Sequence, residues 1–215
     1  MAFVITFAQR KGGGGKTTLA AHLATAWAAL GRRVAVIDVD PQHSLTQWVE
    51  LRRTSREGGD IGFTAMAVSG WKLGLELDRL RRDHDIVVID SPPHADMDAR
   101  VAIRASDLVV IPVQPSPLDV WATRATLDLA RAENRRALLV LNRVAPRTRL
   151  TQEIAASLGQ GDIRVAQTTL ANRTAYAASL AVGAGVGEFE PSGAAAGEIA
   201  HLLAEIDDIL GAGQR

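Results

Sequence analysis

The residues whose spacing carries the most chemistry are Lys11-Gly12-Gly13-Gly14-Gly15-Lys16-Thr17-Thr18. Four consecutive glycines let backbone N–H groups turn inward, because no Cβ blocks the close approach of an anion. A helix opening near Lys16 adds the partial positive charge of its N-terminus. In such a loop Lys16 would reach the β- and γ-phosphates of a nucleotide and the Thr17 hydroxyl would ligate Mg²⁺. Thr18 is placed for the α-phosphate. This is the chemistry of a P-loop ATPase, with ATP and Mg²⁺ as its implied ligands. The strict pattern G-x-x-x-x-G-K-[ST] is not met, since its first glycine falls where Arg10 stands. A lysine at position 11, just ahead of the glycines, stands there instead.

The elements that must position this loop follow from the hydrophobic pattern. Short apolar runs at 2–8, 33–38, 62–68, 85–90, 107–113, 137–142 and, weakly, 163–166 read as strands. Most are continuous β-branched or leucine runs, as expected of parallel strands buried on both faces. Segments of helical period fill the gaps at about 16–30, 43–54, 72–82, 95–104, 118–133, 150–158, 173–181 and 194–210. The alternation predicts an α/β fold, a doubly wound and mostly parallel sheet flanked by helices. Four runs end in polar groups: Arg10-Lys11, Asp38 with Asp40, Asp90, and Asn142. Ligands of open parallel sheets bind outside the carboxyl ends of the strands, so these groups should gather at one edge.

Composition bounds the remaining possibilities. The 215 residues are 47% hydrophobic and 22% charged, which suits one domain spanning 1–215. The net charge is zero, so nucleic-acid binding would need a local patch or assembly. With no cysteine, disulfides, thiolate metal sites and iron–sulfur clusters are excluded. No apolar run approaches the ~18 residues of a membrane span. An intracellular, cytoplasmic location is expected.

The loop resembles the deviant Walker A motif of the ParA/MinD superfamily, Lys-Gly-Gly-x-Gly-Lys-Thr-Thr. The likeness extends along the chain. Asp38-Val39-Asp40-Pro41-Gln42 is similar to the family's first switch, and Ile86-Val87-Val88-Ile89-Asp90-Ser91-Pro92-Pro93 to its Walker B with the second switch. Ile111 to Asp119 resembles the proline-rich segment of small plasmid partition ATPases of the ParF type. The resemblance implies that Lys11 crosses a nucleotide-sandwich homodimer to touch the partner's phosphates, that Asp40 positions the attacking water, and that Asp90 holds Mg²⁺ through water. Asn142 and Arg143 match the place where relatives contact adenine. On pattern alone Asp38 or Asp90 could be Walker B, and Asp40-Pro41 reads equally as a helix N-cap with proline at N1. Gly14, where relatives vary, adds an ordering cost on the order of 0.5–1 kcal/mol relative to alanine.

Within the superfamily, the missing cysteines exclude a nitrogenase-like reductase. The acidic last helix, with Ile199, Leu202, Leu203, Ile206, Ile209 and Leu210 on one stripe, argues against a MinD-like membrane anchor and for packing on the sheet. Only ten residues precede Lys11, so no N-terminal helix-turn-helix domain is expected. Arg131, Arg135, Arg136, Arg143, Arg147 and Arg149 face one acid, Glu133, and read as a solvated basic face or a nonspecific DNA surface. Arg147, Arg149 and Arg173 are the candidate DNA contacts. The expected function is DNA partition, plasmid or chromosomal, with a centromere-binding activator of the ParB type and higher multimers where the proline-rich segment supports them. An orphan relative that positions a protein cargo on the nucleoid is the alternative. A metabolic P-loop ligase, in which Lys11 would be incidental, comes third.

Overall fold

A computed structural model describes residues 1–93, 97–145, 154 and 163–212. Seven parallel strands form one sheet in the order β3-β2-β4-β1-β5-β6-β7. They are β1 (Phe3–Phe7), β2 (Val34–Asp38), β3 (Thr64–Ala67), β4 (Ile86–Asp90), β5 (Leu108–Val113), β6 (Arg136–Leu141) and β7 (Arg164–Val165). Between and after them run α1 (Lys16–Ala29), α2 (Ser44–Thr54), α3 (Gly70–Asp83), α4 (Met97–Ala105), α5 (Pro117–Ala132), α6 (Thr174–Ala181), α7 (Val186–Phe189) and α8 (Ala194–Ala212). Each expected strand is present within two residues of its predicted ends. The expected helix at 150–158 falls outside the described residues apart from Ile154, and α7 opens at the end of the Gly/Ala-rich stretch Ala181–Gly187, whose composition alone predicts a loop.

The sheet is buried on both faces, and the pleat sorts its side chains with period two. Ile5, Phe7, Val36, Val88 and Val110 face one layer of core with Leu19, Leu23 and Trp27 of α1. Val4, Ile37, Val87 and Ile89 face the other, against Leu73, Leu77 and Leu80 of α3. Val109, Ile111 and Leu139 continue that second layer against Ile103 and Leu127. The apolar stripe of α8, from Ile199 to Leu210, belongs to the first layer and is fully buried. It is therefore occupied by the core. Among the described residues no helix is long and apolar enough to cross a membrane.

Two buried polar contacts tie α6 to α8 onto this frame. Arg52 of α2, only 2% exposed, makes a double-hydrogen-bonded pair with Glu188 and donates to the carbonyls of Ile61 and Gly183. Its guanidinium also lies over the rings of Trp48 and Phe63. His22 of α1 accepts from the Val186 N–H through Nδ1 at 3.2 Å, and its ring lies 5.3 Å from that of Tyr176.

His22 carries a prediction. Burial holds its pKa down to about 4, whereas an unfolded imidazole titrates near 6.5. Between these values the unfolded chain binds the proton first, so stability is intact above pH 6.5 and is lost as pH falls towards 4. The loss should reach about 3 kcal/mol, from 1.36 kcal/mol per pKa unit. Urea unfolding of the parent and of His22→Asn, which keeps an acceptor near Nδ1, should show a stability difference that moves in the variant's favour across this window.

Candidate functional site

The carboxyl ends of β1, β2, β4, β5 and β6 converge where the loop from Gln9 to Gly15 enters α1. The loop is shaped by conformations that favour glycine. Gly13 and Gly15 have φ of 76° and 102°, and Gly15 is the N-cap of α1. A Cβ on Gly15 would stand 2.2 Å from Asn142 Nδ2. Gly14 lies outside the left-handed region, and a Cβ there would stand 3.1 Å from Cγ of the buried Gln9 and 3.6 Å from the carbonyl oxygens of Lys11 and Pro112. Neighbouring strands hold the loop by its carbonyls: Asn142 Nδ2 donates to Gly14 O at 3.0 Å, and Gln114 Nε2 to Gly13 O at 3.1 Å. With the carbonyls tied outward, the N–H groups at the start of α1 have no intrahelical acceptor and are available to an anion.

Lys16 is buried at 7% exposure. Desolvation lowers its pKa, against the opposing charges of Asp90 and Asp40. A buried ammonium in this position favours a ligand that brings negative charge. Thr17 Oγ1 donates to Asp90 Oδ2 at 2.6 Å. Asp90 is fully buried, its Oδ1 has no hydrogen-bond partner, and burial pushes its pKa up to about 7 despite Thr17 and Lys16. An orphaned carboxylate oxygen beside a threonine hydroxyl is a donor set of hard oxygens, and it fits a hydrated Mg²⁺.

Asp38 and Asp90 end adjacent strands in register, but their environments separate them. Asp38 Oδ1 accepts from the Asp40 N–H at 3.0 Å, and Oδ2 accepts from the backbone and hydroxyl of Thr46 at 2.9 and 2.8 Å. Its carboxylate therefore caps the first turn of α2 and fixes the turn carrying Asp40. Asp40, 8% exposed, accepts from the Gln42 N–H at 2.9 Å through Oδ1. The reading of Asp40-Pro41 as N-cap and N1 does not hold. The helix begins at Ser44 after a left-handed His43, so Pro41 lies three residues before its first turn.

Lys11 does not fold over its own loop. Its Nζ donates to Asp119 Oδ2 at 2.8 Å, with the lysine side chain 43% exposed and the aspartate 3%. Asp119 sits in the first turn of α5, where its N–H donates to the Ser116 hydroxyl and its carboxylate accepts from it.

A cavity of about 380 Å³ opens on the other side of α1. Thr18, Asn142, Arg143, Arg173 and Tyr176 line it. Asn142 already donates to Gly14 O and accepts from the Arg143 N–H at 2.9 Å. Glu198 of α8 braces the far wall, accepting from Arg173, from Tyr176 Oη at 2.8 Å and from the Ala171 N–H at 3.1 Å.

The arginines that cluster in sequence do not form one patch. Arg131, Arg135 and Arg136 lie at the amino edge of the sheet, where Arg131 pairs with Asp128 and Arg136 donates to the carbonyls of Ile209 and Asp107. Glu133 is taken by Arg100 and Arg104. Arg143 stands at the far end of β6, six strand residues away, or roughly 20 Å at 3.3 Å per residue. Arg147 and Arg149 lie outside the described residues. Sequence reasoning missed Asp119, Glu198 and the positioning work of Asp38. One signal was legible: of 24 Lys and Arg residues only three are lysine, and two of these, Lys11 and Lys16, flank the glycines.

The geometry predicts a sharp requirement at the helix entry. Gly15→Ala combines a strained φ with a Cβ driven into Asn142, and should weaken ATP binding by about tenfold or more, about 1.4 kcal/mol. Calorimetric titration of the folded variant with ATP checks this, and Gly14→Ala, at an unstrained φ and with a milder contact, should lose less affinity than Gly15→Ala.

Comparison with known proteins agrees with this geometry. A model of the CobQ/CobB/MinD/ParA nucleotide binding domain matches residues 5–186. The chain is 31% identical over 212 residues to the maintenance of carboxysome distribution protein A of Halothiobacillus neapolitanus, covering 95% of this chain and 96% of that one. It is 30% identical over 192 residues to the protein ParA of Rhizobium radiobacter, with 84% and 83% covered. The solved structure of apo McdA from Cyanothece superposes with a TM-score of 0.78 at 19% identity, covering 95% of this chain and 99% of that one, a likeness of fold.

Proposed function

The chain belongs to the CobQ/CobB/MinD/ParA family of nucleotide-binding domains, as a ParA/MinD-type ATPase, and from this premise we propose that it is an ATP-driven dimer switch that positions a protein cargo on nucleoid DNA. The observation that carries the proposal is Lys11, a lysine at the mouth of the phosphate loop whose amine is held by Asp119 of α5.

In this reading the N–H groups of residues 12–16 cradle the phosphates of ATP, with Thr18 at the α-phosphate and Lys16 at the β- and γ-phosphates. Thr17 and, through water, Asp90 would hold Mg²⁺, which would supply positive charge to the phosphates. Asn142 and Arg143 border the cavity that takes the base. Asp40, fixed by Asp38, orients the attacking water. Lys16 and the helix N-terminus stabilise charge on the γ-phosphoryl group, and Lys11 of the second subunit adds a cation in the closed sandwich, as an arginine finger does. Hydrolysis removes the γ-phosphate that the second subunit grips, and the dimer opens.

Cargo positioning ranks ahead of DNA partition because the resemblance to the carboxysome-distribution protein runs through nearly the full length of both chains. Partition is the second reading, favoured by the ParA relative. Both require nonspecific DNA binding by the ATP dimer, for which Arg147, Arg149 and Arg173 are the candidate phosphate contacts. Arg173, whose charge is already shared with Glu198, contributes less. Both also need an activator, which would be a cargo adaptor in the first reading and a centromere-binding protein in the second.

Light scattering and a low-salt DNA-retention assay test the proposal together. With ATP the protein should double in mass and be retained; with ADP it should stay monomeric and pass through. Lys11→Ala should lose about 10³-fold or more in partner-stimulated turnover, the range of a trans-acting cation. An ATP-bound monomer that ignores DNA would overturn the reading. The protein encoded beside it should then bind either a protein assembly or a DNA site, which separates cargo from partition.

A further inference from the structure

We infer that Asp119 is a positioning residue that holds Lys11 in cis in the monomer, so that closure of the dimer must break the Lys11–Asp119 pair in both subunits. The inference rests on the reading of Lys11 as a trans-acting cation. Its own evidence is the asymmetry of the pair. Asp119 is buried and Lys11 is half exposed, 108 residues away in sequence, and they meet at 2.8 Å. The cap of α5 is Ser116, whose hydroxyl accepts from the Asp119 N–H. The buried Asp119 carboxylate accepts from that hydroxyl and from Lys11, its charged partner. The lysine takes no part in the cap, and its contact with Asp119 decides where its amine rests.

The surroundings make this a defined resting place. Gln9 Nε2 donates to Pro112 O at 3.2 Å and to Thr123 Oγ1 at 2.9 Å, and the Arg10 N–H donates to Thr126 Oγ1 at 3.3 Å. The chain just before Lys11 is thus fastened to β5 and α5. Lys11 can leave by rotating its side chain, while its backbone stays in register with the loop. An amine held on Asp119 cannot simultaneously touch a phosphate across the dimer. Breaking the pair leaves a buried carboxylate without its cation, which opposes closure until the partner's nucleotide provides stronger negative charge. ATP, with its γ-phosphate, offers that charge; ADP offers less.

Two measurements test the latch on the intact chain. Only Lys11, Lys16 and Lys72 carry ε-amines, so competitive acetylation read by mass spectrometry can compare Lys11 with Lys72 in one sample. Without nucleotide, Lys11 should react about fivefold faster in Asp119→Asn than in the parent, while Asp119→Glu stays near the parent. With ATP, the dimer dissociation constant should fall by about tenfold in Asp119→Asn, because each dimer no longer breaks two pairs. A loosened helix cap would lower the melting temperature but would not tighten the dimer. Asp119→Ser serves where Asn does not fold. Unchanged Lys11 reactivity and an unchanged or weaker dimer in a folded variant would overturn the inference. The underlying reading fails separately, if Lys11→Ala dimerises and turns over ATP as the parent does.

Discussion

A strand buried on both faces has no place for a charged side chain except at its ends. The rest of this molecule follows from that constraint. Inside the sheet only Thr6 breaks the apolar rule on β1, and its hydroxyl is matched by the Ala102 carbonyl and Ser106. Asp38, Asp90 and Asn142 are instead expelled to the carboxyl ends of β2, β4 and β6, and parallel pairing brings those ends to one edge. The glycine loop leaves β1 in the middle of them. The sheet thus assembles a cation, two buried carboxylates with different hydrogen-bond partners and a helix N-terminus before any ligand arrives. Preorganised charge of this kind is what phosphoryl transfer needs.

Within the edge, environment assigns what sequence pattern leaves open. Asp38 and Asp90 are in register and identical in type. Asp38 has its oxygens saturated by Asp40 and Thr46, whereas Asp90 keeps one oxygen unpartnered beside Thr17. The first carboxylate is structural and shapes the turn of Asp40. The second is the one that can serve a hydrated ion. On α2, the helix that follows the Asp40 turn, the buried Arg52 grips α7 through Glu188 and the segment before it through the Gly183 carbonyl.

Much of this was legible from the chain because its signals are local. The glycine run, the β-branched strands and Asp90 at the end of its apolar run are each read from a short stretch of sequence. What stayed hidden depends on partners far apart in sequence. Asp119 gains meaning only because α5 returns it to Lys11, and Glu198 only because α8 crosses beside Arg173 and Tyr176. Local reading also misled twice. Asp40-Pro41 looked like a helix start, but Asp38 from the preceding strand supplies the cap and the helix opens at Ser44. The arginines from 131 to 143 looked like one patch, but β6 runs between them and carries them to opposite edges of the sheet.

The central claim is that a complete hydrolytic site contains residues from two subunits. Mixing Lys11→Ala with Asp40→Ala tests it most directly. In a mixed dimer, the Lys11→Ala subunit keeps its own Asp40 and receives Lys11 from its neighbour, so one of the two sites is whole. Each variant alone should turn over ATP poorly, and the mixture should recover a substantial part of the parent's rate. A mixture no faster than the average of its two components would contradict the account, by placing Lys11 and Asp40 in service of the same subunit's nucleotide.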